Sequence, residues 1–467
     1  MAKTSSFSYT FLTEILSSPK IKPLAQRLHP SAVMGALKNT FDDVSQELWL
    51  AVSEQRRPDV NELIERIVER LRELVGISEP LVVDARGRLF PNDYPRLAPA
   101  ALEEGAWILS EPQTDYSRRQ DALREKETRA KLAKLGGAEA AAVFASCGAA
   151  RIAVLHALAN SGRGLVVARR DMYERENGER LEEAFDVFPT LARREIGACN
   201  SVTLDDYARA CDKTTGLVWR SFGRWLPRGR RPSDAEIAKL KGTGDRSFLL
   251  LGEIEFAPLI DLNEFFDSGI PTVAERLKSG FDFVLCSGAQ LIGGPSVGLL
   301  FGSRSAVDAI LRTPMCKYAK ASRVGLAALS KTLSLYDNRA VALESIPVLR
   351  ALSTSDANLL SRAKRLAQIL ETYDFVQFAR AVEGRAILCP DVSFGTTPSR
   401  VVEVKPRGFS AAELAAKFEK LSPKLLVRWT KESVFIDMKT LLPEQDLVVG
   451  ELFDRVAHPD ALDILPG

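Results

Sequence analysis

Along residues 10 to about 78, apolar side chains recur at three-and-four spacing while charges fill the opposite positions. The segments VSQELWLAVSEQ and VNELIERIVERLRELVG carry this pattern, and Pro58 stands near the start of the second. Residues 1–78 are therefore expected to form an amphipathic helical domain. From about residue 79 the period changes. Short apolar runs (AAAVFAS, GLVVARR, TGLVWRS, SFLLLGEI, FDFVLCS and VGLLFGS) read as buried strands, and most precede a helical stretch such as AARIAVLHALA or DAEIAKLKG. Strands alternating with helices predict an α/β fold with a large, mostly parallel sheet across residues 79–338. Residues 339–467 are expected to form a small C-terminal α/β domain. It starts with a long helix near DANLLSRAKRLAQILETY, followed by strands near RAILCP, RVVEVKP and SVFIDMKT and a helix at AAELAAKFEKL.

Composition narrows the functional classes. The 467 residues are 46% hydrophobic and 27% charged, which supplies enough apolar surface for full cores and excludes a disordered chain. Lys and Arg number 63 against 61 Asp and Glu, 63 − 61 = +2, so no whole-molecule field attracts a polyanion and any nucleic-acid contact has to be local. No run reaches the roughly 18 apolar residues of a membrane span. The opening MAKTSSFSYTFLTEIL has neither a basic start with a solid apolar block nor a small-residue cleavage site, so a cytoplasmic protein is expected. Six cysteines stand singly beside three histidines, with no C-x-x-C pair, which argues against a metal site or a disulfide framework. No histidine falls in a hydrolase-triad pattern.

Three places invite chemistry. The strand AAAVFA runs into Ser146-Cys147-Gly148 and then a helix beginning near Ala149, a turn that suits either a phosphate at the helix end or an ordinary tight connection. The loop SGAQLIGGPSVGLLFG, from Ser287 to Gly302, is rich in glycine and lets the chain double back. The densest charge run, RWLPRGRRPSD with Arg224, Arg228, Arg230 and Arg231, reads as an exposed loop or as an anion contact. In the N-terminal segment, Arg56, Arg57, Arg66 and Arg70 form either a solvated face or a local phosphate-contacting patch.

Several segments also stand in a telling order: LHPSAVMGAL, VVDARGRLFPNDYPRLAP with Arg96, LGGAEAAAVFASCGAA, LIDLNEF, PTVAERLKSGFDFVLCSG, IGGPSVGLLFG, GLAALSKTLSLY, IPVLRAL and VFIDMKTL. Their order and wording resemble the bacterial L-seryl-tRNA(Sec) selenium transferase family, within the fold-type I pyridoxal-phosphate enzymes. The resemblance covers nearly the whole chain. It implies a large pyridoxal-phosphate transferase-like domain, a ring-forming homo-oligomer and a tRNA partner reached through the N-terminal domain. The implied family reaction converts a seryl group on tRNA through a dehydroalanyl stage, with selenium supplied by selenophosphate.

The chain also departs from that family. Where the family carries Ser-Gly-Asp-Lys, with the lysine forming the Schiff base, this chain has Ser287-Gly288-Ala289-Gln290. A carboxamide nitrogen is neither a nucleophilic amine nor a base near neutral pH, so Gln290 supplies neither lysine role. The family's ring-nitrogen aspartate corresponds to Glu253, and its Gly-Ser-Gly to bulkier Glu255, Phe256 and Ala257. The phosphate turn becomes Ser146, Cys147 and Gly148, with Ser287 beside it. Arg96, Arg124, Arg169, Arg224, Lys317, Lys320 and Arg323 stand where the resemblance implies contacts to phosphate-bearing groups. The expectation is a catalytically degenerate relative that keeps a ligand- or tRNA-binding role, with pyridoxal phosphate held non-covalently or not at all. The alternatives are an active transferase and a structural, oligomer-forming scaffold.

Overall fold

The computed structural model describes residues 82–89, 97–110, 112–172, 180–198, 200–222, 229–244, 246–254, 256–266, 269–387 and 396–458. The expected helical domain at residues 1–78, Arg96 and Arg224 lie outside the described residues. Apart from Val82, Val83 and Lys420–Lys424, the described residues belong to one unit.

Seven strands make the central sheet: β1 (Ala140–Phe144), β2 (Gly164–Ala168), β3 (Arg193–Ile196), β4 (Thr215–Phe222), β5 (Leu249–Ile254), β6 (Phe283–Ser287) and β7 (Gly298–Gly302). Their spatial order is β1-β7-β6-β5-β4-β2-β3. Strands β2 to β6 run parallel to one another, whereas β7 runs antiparallel to both β1 and β6. Two reversals leave β1 pointing the same way as β2 to β6. The carboxyl ends of six strands therefore share one edge, which is where α/β sheets carry ligands.

Both faces are covered, which is why these strands read as continuous apolar runs. On one face the helices Cys147–Asn160 and Arg304–Leu311 pack over Leu165, Trp219, Leu285 and Leu300. On the other, the helices Leu204–Ala210, Asp234–Leu240 and Val273–Lys278 pack over Val218, Leu250, Val284 and Phe301. Because successive strand residues point to opposite faces, Trp219 and Arg220 are delivered to different layers. Strand β3 escaped the apolar pattern because its sequence is RREI and three of its four residues are exposed. It is the edge strand, where charge discourages pairing with another chain.

Beyond the sheet, the helix Asp356–Leu370 lays Leu359, Ala363, Leu366 and Leu370 inward at helical spacing. It covers an antiparallel sheet of β8 (Val376–Ile387), β9 (Thr396–Pro406), β10 (Arg428–Trp429) and β11 (Val434–Asp437), in the order β10-β11-β9-β8. Strand β8 is far longer than the RAILCP segment suggested, since its exposed half carries polar side chains.

Candidate functional site

The turn after β1 is built around Ser146. Its backbone is extended, and its hydroxyl oxygen accepts from the Ala149 amide at 3.0 Å, so the helix starts at Cys147. An N-cap of this kind fixes the helix start with its positive end at the sheet edge. The first residue of β7 presses on the same turn. A Cβ added at Gly298 would lie 2.2 Å from the Ser146 carbonyl oxygen. Gly298→Ala is therefore expected to lower unfolding stability by about 1–3 kcal/mol, read from urea denaturation. An unchanged midpoint would show that the turn yields freely.

Beyond β6 the backbone is stitched into a fixed loop. Gly288 N–H donates to the Val297 carbonyl at 2.8 Å, Gly294 N–H to the Gly288 carbonyl at 2.9 Å, and the Tyr336 hydroxyl to the Ile292 carbonyl at 2.9 Å. Burial pushes the Tyr336 phenol up, so it remains a donor. Ser287 is buried, and its hydroxyl oxygen accepts from the Ala289 amide at 3.2 Å. Burial also raises the Cys286 thiol well above its ordinary value, which leaves it protonated and inert.

Gln290 opens the loop. Its φ of +45° makes it the one positive-φ residue other than glycine among the described residues. A side chain in that conformation costs roughly 1–2 kcal/mol, and such strain gathers at functional sites. Among the described residues its half-buried carboxamide has no hydrogen-bond partner. No lysine occurs between Ser287 and Gly298. Lys278 closes the helix leading into β6 and so lies at the other end of that strand, and Lys331 is exposed.

Glu253, near the end of β5, is 1% exposed and fully engaged. Arg151, from the helix that starts at Cys147, donates through Nε to Oε1 at 2.7 Å, and Trp219 donates through Nε1 to Oε2 at 3.2 Å. Arg151 is 3% exposed and Trp219 is fully buried. A carboxylate this dry is retained because two donors hold it. Sequence reasoning gave no role to Arg151 or Trp219. The available signal was a lone arginine in the otherwise apolar stretch AARIAVLHALA.

The basic residues divide into groups. Arg323 Nε meets Asp121 Oδ2 at 2.6 Å, and Arg124 reaches Asp121 at 3.3 Å and Glu104 at 3.5 Å. Lys320 stands 3.4 Å from Glu125, and its backbone bridges to Phe144 just before the Ser146 turn. Arg124, Lys320 and Arg323 are thus brought together beside that turn, each with an acidic partner. Arg169, after β2, faces Glu195 at 3.8 Å on the far side of the sheet, and Lys317 is exposed.

Comparison with known proteins agrees with this architecture. The family model described as L-seryl-tRNA selenium transferase matches residues 106–442. The L-seryl-tRNA(Sec) selenium transferase of Moorella thermoacetica is 28% identical over 444 residues, 92% of each chain. That of Hyphomonas neptunium is 28% identical over 377 residues, 78% of this chain and 79% of its own. Among solved structures, a D-glucosaminate-6-phosphate ammonia-lyase superposes with a TM-score of 0.57 at 16% identity, covering 82% of this chain and 98% of its own. With well over half its length matched by the family model and a mostly parallel central sheet, the chain belongs to the L-seryl-tRNA selenium transferase family.

Proposed function

We propose that this chain is a catalytically degenerate selenium transferase relative that binds a family ligand, a tRNA or a phosphate-bearing small molecule, without lysine-dependent chemistry. The observation that carries this reading is the buried Arg151–Glu253–Trp219 network. Pyridoxal phosphate brings an aldehyde that needs an amine and a ring nitrogen that needs a carboxylate. Gln290 offers no amine, and Glu253 is 1% exposed and already held by Arg151 and Trp219, so a ring nitrogen would have to enter as a further donor to a dry carboxylate. The exposed Ser146 turn suits an anion by its helix end. On the same reading the protein is a cytoplasmic homo-oligomer whose N-terminal residues contact tRNA phosphates. No described helix is long and apolar enough to cross a membrane.

An active L-seryl-tRNA(Sec) selenium transferase is the second reading, favoured by the 28% identity to the Moorella thermoacetica protein over 92% of both chains. Borohydride treatment after incubation with pyridoxal phosphate, followed by peptide mass mapping, separates the two. The degenerate reading expects no adduct at any particular lysine and no conversion of seryl-tRNA(Sec) in the presence of selenophosphate. A stoichiometric adduct at one lysine, together with turnover, would establish the active enzyme instead.

A further inference from the structure

On the opposite face of the sheet from Glu253, three arginines gather around the end of β4. The guanidinium carbons of Arg231 and Arg276 each lie 4.1 Å from the Phe222 ring centre, and that of Arg220 lies 5.2 Å away. Asp234 ties two of them together, accepting from Arg220 at 2.6 Å and from Arg276. Capping boxes at Ser233 and Thr272 fix the starts of the helices that carry Asp234 and Arg276. Asp171, in the turn after β2, stands 3.9 Å from Arg231. The three guanidinium groups face the carboxylates of Asp234 and Asp171, and Arg220 also lies within electrostatic reach of Glu236.

The polar bookkeeping of this cluster is incomplete. Among the described residues the Tyr207 hydroxyl, the Nε–H of Arg220, the Nε–H of Arg276 and Oδ2 of Asp171 are buried without a hydrogen-bond partner. Tyr207 is 0% exposed, Arg220 1% and Asp171 2%. Buried polar atoms in folded proteins nearly always find a protein group, water or ion. A lone orphan would be a local flaw, but three donors and one acceptor in one charged cluster describe a complementary ligand. Its acceptor oxygens would meet Tyr207, Arg220 and Arg276, and it would carry one donor for Asp171.

We propose that Tyr207, Arg220, Arg276 and Asp171, with Arg231 at the rim, form a second anion site that takes a protonated phosphate group. Guanidinium groups match tetrahedral oxyanions in geometry and charge. Hydrogen phosphate has an O–H to donate to Asp171, whereas sulfate at neutral pH has none and would place unprotonated oxygen against a carboxylate. The depth of Tyr207, Arg220 and Asp171 selects a small molecule, because a nucleic-acid backbone does not reach groups only 0–2% exposed. Burial, reinforced by the nearby Asp171 charge, pushes the Tyr207 phenol up and keeps its proton available to donate. Sheet geometry sets this site about two strand spacings, roughly 10 Å, from the end of β6. The proposal is independent of whether Gln290 silences the family chemistry.

Calorimetric titration of the full chain with inorganic phosphate, and separately with sulfate, tests it. One equivalent of phosphate is expected to bind, with sulfate at least about tenfold weaker. Tyr207→Phe should weaken phosphate binding about tenfold while leaving the melting temperature of the phosphate-free protein unchanged or raised, since it removes an unsatisfied buried hydroxyl. Arg231→Gln, at a partly exposed rim position, should weaken phosphate binding in the same direction. Absence of phosphate binding, equal binding of sulfate, or phosphate binding insensitive to both substitutions would overturn the assignment. The last result would move the anion to the Ser146 turn, and ordered water would then satisfy the cluster.

Discussion

Arg151→Met is expected to destabilise the protein by about 3–5 kcal/mol, because it leaves the dry Glu253 carboxylate without its buried cationic donor. The loss comes from stranding the charge more than from the pair's own attraction. An exposed ion pair such as Arg169–Glu195, 3.8 Å apart, contributes at most about 1 kcal/mol by comparison. The double variant Arg151→Met with Glu253→Gln is expected to recover most of the loss. It removes both charges and keeps an amide oxygen to accept from Trp219. Urea denaturation of the single and double variants yields the coupling energy directly. If Arg151→Met alone cost under about 1 kcal/mol, Glu253 would be solvated and free to meet a cofactor.

Gln290→Lys is expected to turn a position with no amine chemistry into one where borohydride fixes added pyridoxal phosphate covalently. The loop after β6 already holds this residue at a φ of +45°, and lysine has the same Cβ, so the backbone strain is unchanged. Stability should stay within about ±0.5 kcal/mol. Conversion of seryl-tRNA(Sec) should nevertheless remain absent, because Glu253 stays dry and held by Arg151 and Trp219. The two assays have distinct meanings. Failure to trap the cofactor at position 290 would place that side chain away from any accessible aldehyde. Full turnover from this one change would show that Glu253 exchanges its partners easily.

Much of the fold was legible because burial on both faces writes an apolar run into the sequence. GLVVA, LVW, LLL, FVLC and GLLF all became central strands, and the turn residues after them became the sheet edge. Strand β3 was not legible, since an exposed edge needs no apolar residues and RREI carries charge instead. The reversal of β7 was also hidden, because a buried antiparallel strand has the same composition as a buried parallel one. The long β8 was only half visible, since its outer residues alternate with solvent.

The site was divided in the same way. Ser146, Ser287 and Gln290 follow strand ends, so their common edge could be anticipated from the alternation of strands and helices alone. The pairing of Arg151 with Glu253 joins residues 102 positions apart, and the gathering of Arg220, Arg231 and Arg276 draws on a strand, a loop and a helix. What the sequence by itself determined is the identity of each group: an amide at position 290 has no basic lone pair wherever the chain places it. Which carboxylate is already occupied, and which donors are left wanting, only the tertiary structure decided, because those are properties of distance and dehydration that no single segment encodes.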